Sequence, residues 1–507
     1  METSPAAPDR AILIATVTRL PEGSFVPVVS DLEGIDWLEV RADLVGDLIP
    51  ADVARLARLF PGKLLYTLRS RAEGGASESS TERRKKRLIE AAGRYDLVDL
   101  EAARDLVPEV LKAVPPEKRV VSWHGPAPGL DGLKATFERM AAVPAALYKL
   151  VPTAAQHGDE IPCLLLLQSL GRRDVIAFAA GPCGAWTRFV APRLGAPVVY
   201  GMLGEVPGAP GQISIERLRR DYLLPDLPPL QALFGIVGNP VTHSLSPRIH
   251  NTAYRALGLP AAYLPFHAES FGEFWLEVVE NGALEVLGLP IRGLSVTAPF
   301  KESALAVAGA ESPLAELIGA ANTLVLNHGV WEAEATDPDG VVLPLRDRGI
   351  AIEGLEAAVV GAGGAGRSAA EGLAKAGARV TIFNRDPERG RSSADRLKLP
   401  FLPLSDLDPS RFDLLVNATS LGRGDGDPLP FDTGRLRSGA VPPVVIDLVY
   451  LMDRPTRLLA EAAARGAVAI DGREVLVDQA RGQFRMMTGR DLPLSLARRV
   501  AGLEDPE

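Results

Sequence analysis

Cysteine is nearly absent from this chain: Cys163 and Cys183 are its only two in 507 residues. Two thiols exclude a disulfide scaffold, and no close cysteine and histidine spacing offers a zinc site, so no metal is expected. Long apolar runs are missing as well. The longest, around Ile161 to Leu167, is far too short to cross a bilayer, and the opening METSPAAPDR has no apolar signal core. A cytoplasmic protein is expected. Net positive charge is also lacking, with a formal charge of -9 and a pI near 5.4. That balance opposes attraction to nucleic acid or to an anionic membrane, so neither is expected as a partner. No internal repeat or low-complexity tract occurs.

What is present is 47% hydrophobic and 23% charged residues, ordinary for a globular protein, on a chain too long for one core. Two or three domains acting on small molecules are expected; the oligomeric state is left open. The main boundary falls in DYLLPDLPPLQ, where Pro225, Pro228 and Pro229 interrupt helix and strand alike, so residues 226–232 read as a linker.

Ahead of that boundary, eight apolar runs alternate with helical stretches: AILIATV, DWLEVRA, KLLYTLR, LVDLEA, RVVSWH, ALYKLV, DVIAFAAG and APVVYGML. The alternation predicts an α/β fold, a parallel (β/α)8 TIM barrel over residues 1–225, with its chemistry at the carboxyl ends of the strands. Glu39, Arg69, Glu101, His124 and Lys149 fall at those ends. The charged stretch STERRKKRLIEAAG is expected to be a solvated helix face.

Lys149 closes the strand-like ALYKL. In a barrel mouth, lost hydration and nearby cations both lower an amine's pKa and free it to attack a carbonyl. A strand-end lysine alone is more often a surface residue; its company matters. His124 ends the preceding strand and suits proton transfer near neutral pH, Glu73 in a glycine-rich loop is placed to orient it, and Arg188 suits a carboxylate.

The ordered stretches LEVRAD, YTLRSRAEGG, LVDLEA, VSWHG, ALYKLVPTA, GPCGAWTR and GAPGQ resemble the type I 3-dehydroquinate dehydratases. The resemblance implies that Lys149 forms a Schiff base with a substrate ketone, that His124 shuttles the proton, and that Glu73 tunes His124. It also implies a substrate pocket of Glu39, Arg41, Arg69, Arg188 and Gln212. Gly208 stands where the family usually has serine, and Ala180 where methionine is common.

Beyond the linker, LEAAVVGAGGAGRSAAEGLAKAGARVTIFNR reads as strand, glycine turn, helix and strand, with Gly361, Gly363 and Gly366 in dinucleotide spacing around Gly364 and Ala365. Bare glycines let a pyrophosphate approach amides at a helix amino terminus. Asn384, Arg385 and Arg389 follow the second strand in place of an acidic residue, which favours NADP over NAD; Asp386 is expected to weaken that preference by repulsion.

FGIVGNPVTHSLSPRIHNTAY, GLSVTAPFKE, IGAANTL, ATDPDG, LVNATSLG and VIDLVY together resemble shikimate dehydrogenase. The resemblance implies Lys301 and Asp337 as the proton-transfer pair, with Ser244, Ser246, Thr297, Asn322 and Gln479 on the substrate and Gly472 on the cofactor. Taken alone, a lysine beside a carboxylate is a structural salt bridge, and Tyr450 is either a pocket wall or a packed aromatic. Ser295, Ala335 and Val475 depart from family asparagine, asparagine and methionine, the last near the nicotinamide. A two-lobed dehydrogenase follows: residues 233–335 bind substrate, 336–472 form a Rossmann lobe, and 473–507 return to the substrate lobe. The two resemblances imply a bifunctional enzyme that converts 3-dehydroquinate through 3-dehydroshikimate to shikimate with NADPH. The alternatives are a second half that prefers quinate, and a catalytically inactive metabolite sensor.

Overall fold

The computed structural model describes residues 9–19, 32–204, 206–424, 426–436, 443–452 and 454–504. The chain divides into two compact units, Met1–Gln231 with Phe266–Pro290, and Ala232–Pro265 with Ile291–Glu507.

In the first unit all eight apolar runs are strands: β1 (Ile12–Val17), β2 (Trp37–Arg41), β3 (Lys63–Thr67), β4 (Leu97–Glu101), β5 (Arg119–Pro126), β6 (Leu147–Thr153), β7 (Val175–Ala177) and β8 (Val198–Met202). They form one sheet in the order β7-β6-β5-β4-β3-β2-β1-β8. Every ladder between neighbours is parallel, and none among the described residues joins β7 to β8, so the barrel is nearly closed. Strands buried on both faces read as continuous apolar runs, which is why these were legible. Phe266–Pro290 packs on this unit, with the Phe266 ring 5.4 Å from Trp186 and Phe274 5.4 Å from His157.

One expectation is corrected. Thr81–Ala92 is a helix, but it is not solvated throughout, because Arg84 is buried and donates through Nε to Asp105 Oδ1 at 2.7 Å and through Nη2 to Asp105 Oδ2 at 2.6 Å. A planar guanidinium can leave water when a carboxylate meets it bidentately. Arg84→Ala would strand the Asp105 charge inside the barrel wall, so a loss of about 3–5 kcal/mol is expected, read from the midpoint of denaturant unfolding.

The second unit holds two sheets. In the first, β9 (Ala232–Gly238), β10 (Ala261–His267), β11 (Ile291–Val296), β12 (Ala310–Glu311), β13 (Thr323–Asn327) and β14 (Val330–Glu334) take the mixed order β10-β9-β11-β13-β14-β12. In the second, β15 (Glu356–Val360), β16 (Arg379–Asn384), β17 (Phe401–Pro403), β18 (Leu414–Asn417), β19 (Val444–Asp447) and β20 (Val468–Ile470) are all parallel, in the order β17-β16-β15-β18-β19-β20. That is the doubly wound order, with its switch point between β15 and β18, where the glycine turn lies. The helix Gly472–Thr488 carries Val477, Ala480, Phe484 and Met487 into one core with Phe234, Ile236, Ile249 and Tyr263. No helix among the described residues is long and apolar enough to cross a membrane.

Candidate active sites

The first site lies at the carboxyl ends of the barrel strands. Register pairs Ser122 with Lys149 and His124 with Val151, so Lys149 and His124 point to the same interior face from adjacent strands, one layer apart. Both line a cavity of about 210 Å³ with Glu39, Arg69, Glu73 and Arg188. Gln212, Gly208 and Pro210, from the segment after β8, complete its wall.

Lys149 is 6% exposed and has its Nζ 4.1 Å from the centre of the Tyr200 ring. Burial pushes its ammonium below the ordinary lysine range, with Arg69 and Arg41 adding and the Glu39 and Asp99 carboxylates opposing. His124 Nδ1 meets Glu73 Oε2 at 3.1 Å, and the same oxygen accepts from the His124 amide at 3.1 Å. Burial, then Arg69, Lys149, Arg41 and Arg188, holds the imidazole well below its usual range. Burial, only partly offset by Arg69, pushes Glu73 up to about 7. The pair is thus a neutral imidazole beside a carboxyl that gains its proton near neutrality, not a fixed ion pair. With Nδ1–H donating to Glu73, the His124 Nε2 keeps its lone pair.

The three arginines are not equivalent. Arg69 is buried and fully engaged, donating to Asp99 at 2.9 Å, Ser122 at 2.9 Å, Glu73 at 3.1 Å and Glu101 at 3.3 Å. Arg41 is held bidentately by Asp43 and also donates to the Gly208 carbonyl. Among the described residues Arg188 meets no carboxylate: its Nη2 donates to the Pro210 carbonyl at 3.2 Å, its Nε is buried with no partner among them, and it lies 4.4 Å from the Phe178 ring. Burial brings it down to about 10. Glu39 accepts from Thr16 and Thr67, and Gln212 donates to Thr16 at 2.9 Å while accepting from the Gly208 amide. Glycine at 208 has a packing reason, since a Cβ there would stand 2.9 Å from Thr18 Cγ2 and 3.1 Å from both Arg41 and Gln212.

The second site gathers around Lys301, at the start of the helix Lys301–Val307, and Asp337, at the start of Asp337–Asp347. Lys301 Nζ donates to Asp337 Oδ2, and Asn322 Nδ2 donates to Asp337 Oδ1 at 2.6 Å. Asn322 also accepts from the Thr336 amide at 2.8 Å, which fixes the turn before Asp337. Ser244 Oγ accepts from the Ser246 amide at 3.2 Å, and Tyr450 Oη accepts from the Leu245 amide at 3.3 Å, so Tyr450 braces the serine loop. Thr297 is half-buried beside Gly238, and Gln479 packs on Gly340.

The glycine turn reaches this site. Gly361 has φ +115, and a Cβ on Gly366 would lie 2.0 Å from the Gly361 carbonyl, so both positions need a bare backbone. A Cβ on Gly364 would meet Lys301 Cβ and Cδ at 3.2 Å, which places the amino end of the helix Gly364–Lys375 beside the lysine. A Cβ on Gly363 would meet only Arg389 Nη2, at 3.7 Å, leaving that turn open. Ala365 follows in the first turn of this helix. Asn384 donates to the Asp386 carbonyl and Arg385 is exposed. The Asp386 carboxylate accepts from the Glu388 and Arg389 amides and caps the helix Pro387–Leu397. Gly472 is required where it is, since a Cβ would stand 2.7 Å from the Asp447 carbonyl. Val475 is buried against Gly340, a core position.

Sequence reasoning missed several groups. Asn417 and Asp447, at the ends of β18 and β19, are joined at 2.8 Å, and burial pushes Asp447 up to about 6. Arg367 ties the nucleotide helix to the Ile318 carbonyl and to Glu302. Tyr263 donates to Ser295, Ser295 to Gln483, and Gln483 to the Asn322 carbonyl, a buried line running beneath the Lys301 and Asp337 pair. Asn417 and Asp447 sit inside LVNATSLG and VIDLVY, so polar residues at strand ends were the available signal.

Comparison with known proteins agrees with this division. The family profile for type I 3-dehydroquinase matches residues 25–226, that for the shikimate dehydrogenase substrate binding domain 236–324, and that for shikimate / quinate 5-dehydrogenase 346–422. The bifunctional 3-dehydroquinate dehydratase/shikimate dehydrogenase of Arabidopsis thaliana is 30% identical over 491 residues, covering 91% of this chain and 79% of that protein. The NADP(+) shikimate dehydrogenase of Methanothrix thermoacetophila is 39% identical over 266 residues, 52% of this chain and 94% of that one. The solved shikimate 5-dehydrogenase of Thermus thermophilus, in complex with NADP(H) and shikimate, is 35% identical, covers 54% of this chain and 98% of that one, and has a TM-score of 0.47. With both halves matched in order and a two-part relative aligned along nine-tenths of this chain, the chain belongs to the bifunctional 3-dehydroquinate dehydratase/shikimate dehydrogenase family.

Proposed function

We propose that the barrel eliminates water from 3-dehydroquinate through an imine on Lys149, and that the second unit reduces the resulting 3-dehydroshikimate to shikimate with NADPH at Lys301 and Asp337. The observation that carries the first assignment is a buried amine, depressed by desolvation, sharing one cavity with a neutral histidine and an arginine that meets no carboxylate among the described residues.

Lys149 attacks the ketone and water leaves, which puts a cationic nitrogen on the ring. That cation draws electrons from the adjacent carbon and makes its proton removable. His124 Nε2 takes this proton and returns it to the departing hydroxide, while Glu73 holds Nδ1. Arg188 holds the substrate carboxylate, because among the described residues it alone of the three cavity arginines lacks an acidic partner. Glu39, Arg41, Arg69 and Gln212 shape the wall around the ring.

In the second unit the residues present fit NADP: an open Gly363, Gly361 and Gly366 where a Cβ would strike backbone, a helix amino terminus, and Arg389 beside the turn. Bound there, the cofactor supplies a hydride. Lys301 gives a proton to the substrate oxygen, and Asp337 keeps the lysine charged and aimed. Ser244 and Ser246 hold the carboxylate, and Thr297, Asn322 and Gln479 meet hydroxyls with uncharged donors and acceptors. Arg389 takes the extra phosphate, with Arg385 and Asn384 beside it. Arg389→Ala is expected to raise KM for NADPH about tenfold and leave NADH use near its starting level, measured by initial rates. Two buried cysteines held as thiols suit the cytoplasm, where we place the enzyme.

The test is a coupled assay from 3-dehydroquinate and NADPH, with borohydride trapping alongside. Absence of a covalent adduct on Lys149 would sink the imine assignment.

A further inference from the structure

Tyr200 lines the barrel cavity, and the mechanism above gives it no task. Tyr200, on β8, is 5% exposed and lines the cavity, yet its hydroxyl is buried and hydrogen-bonds to none of the described residues. A buried phenol without a partner is costly, and such groups persist where a ligand supplies the missing partner. Its ring faces the Lys149 nitrogen at 4.1 Å and tilts against Phe178 at 6.3 Å, and Phe178 in turn carries Arg188 at 4.4 Å. The two functional cations therefore rest on an aromatic pair. A ring face steadies a cation without the proton-accepting charge of a carboxylate, which leaves Arg188 free for an anion and Lys149 free to exchange protons.

Resting on the imine reading of Lys149, we propose that Tyr200 is a further catalytic residue of the dehydration: its ring supports the cationic nitrogen, and its hydroxyl donates a hydrogen bond to the substrate oxygen that leaves when the imine forms. The step balances without other reactants. The ammonium of Lys149 and the ketone become the protonated imine and water; a C=N double bond replaces the C=O double bond, and two of the three ammonium protons end on the departing oxygen. The positive charge begins and ends on nitrogen, so the ring is useful throughout. The phenol keeps its own proton, as burial holds it well above its usual range beside the Glu39 and Asp99 carboxylates.

Tyr200→Phe removes the hydroxyl and keeps the ring; Tyr200→Leu removes both. In Tyr200→Phe, kcat for dehydration is expected to fall about tenfold or more, with KM for 3-dehydroquinate changed less than about threefold. In Tyr200→Leu, borohydride trapping on Lys149 is expected to fall below that of Tyr200→Phe. NADPH oxidation from 3-dehydroshikimate is expected to be unchanged in both. A Tyr200→Phe variant with full kcat, or with its loss confined to KM, overturns the hydroxyl's role; equal trapping in the two variants overturns the ring's. If the unsubstituted chain gives no adduct, the imine reading itself fails; if it gives one while Tyr200→Phe turns over at full rate, only the Tyr200 proposal fails.

Discussion

Lys149→Ala is expected to lower kcat for dehydration of 3-dehydroquinate by at least about a thousandfold, while NADPH oxidation from 3-dehydroshikimate stays intact. The size of the effect follows from what else the cavity contains. Its other cations are Arg41, Arg69 and Arg188, and guanidiniums do not form imines. Arg41 and Arg69 are in addition committed to Asp43 and to Asp99, Glu73 and Glu101. Among the described residues no second amine lines the cavity to replace the first. Mass spectrometry after borohydride treatment checks this directly, since the adduct should vanish with the side chain. The pH dependence carries a sign as well. Glu73 is pushed up to about 7, so it is ionised above that pH and accepts from His124 Nδ1; below it, the protonated carboxyl no longer holds the base-competent tautomer. Dehydration is therefore expected to fall as pH drops through about 7, and Glu73→Gln should flatten that limb while lowering the plateau.

Lys301→Ala is expected to cost about a hundredfold to ten-thousandfold in kcat for reduction of 3-dehydroshikimate, with dehydration unchanged. The lysine is held from three sides: by its bond to Asp337, by Asn322 acting through Asp337, and by the nucleotide turn, whose Gly364 leaves room for its Cβ and Cδ. Asp337→Asn should lose activity by a different route, because an amide keeps the shape but not the charge that pairs with the ammonium. Stopped-flow measurement of NADPH oxidation separates the two from a loss of cofactor affinity, since the Rossmann turn is untouched in either. A drop seen only in KM for NADPH would show that Lys301 serves binding and not proton transfer.

The barrel was legible because parallel strands are apolar on both faces, so Lys149 and His124 interrupt them conspicuously, while Glu73 stands out only by its glycine-rich loop. The glycine turn was legible for a related reason: Gly361 and Gly366 occupy places where any Cβ would strike backbone. Arg84 was misjudged, and the capping bonds of Asp386 were missed, because a charge written in sequence does not show its partner. Arg84 finds Asp105 across the barrel wall, and Asp386 finds the amides of its own next turn.

By itself the sequence determined the eight-stranded first half, the dinucleotide turn, and the residue types at each strand end, since these depend on local periodicity and short motifs. Only the tertiary structure decided which of the three cavity arginines meets no carboxylate among the described residues, that the Tyr200 hydroxyl has no partner among them, and that Ser295 reaches Gln483 across 188 positions of chain. The physical reason is that hydrogen bonding and desolvation are set by what folding brings within about 3 Å, and no local pattern carries that information.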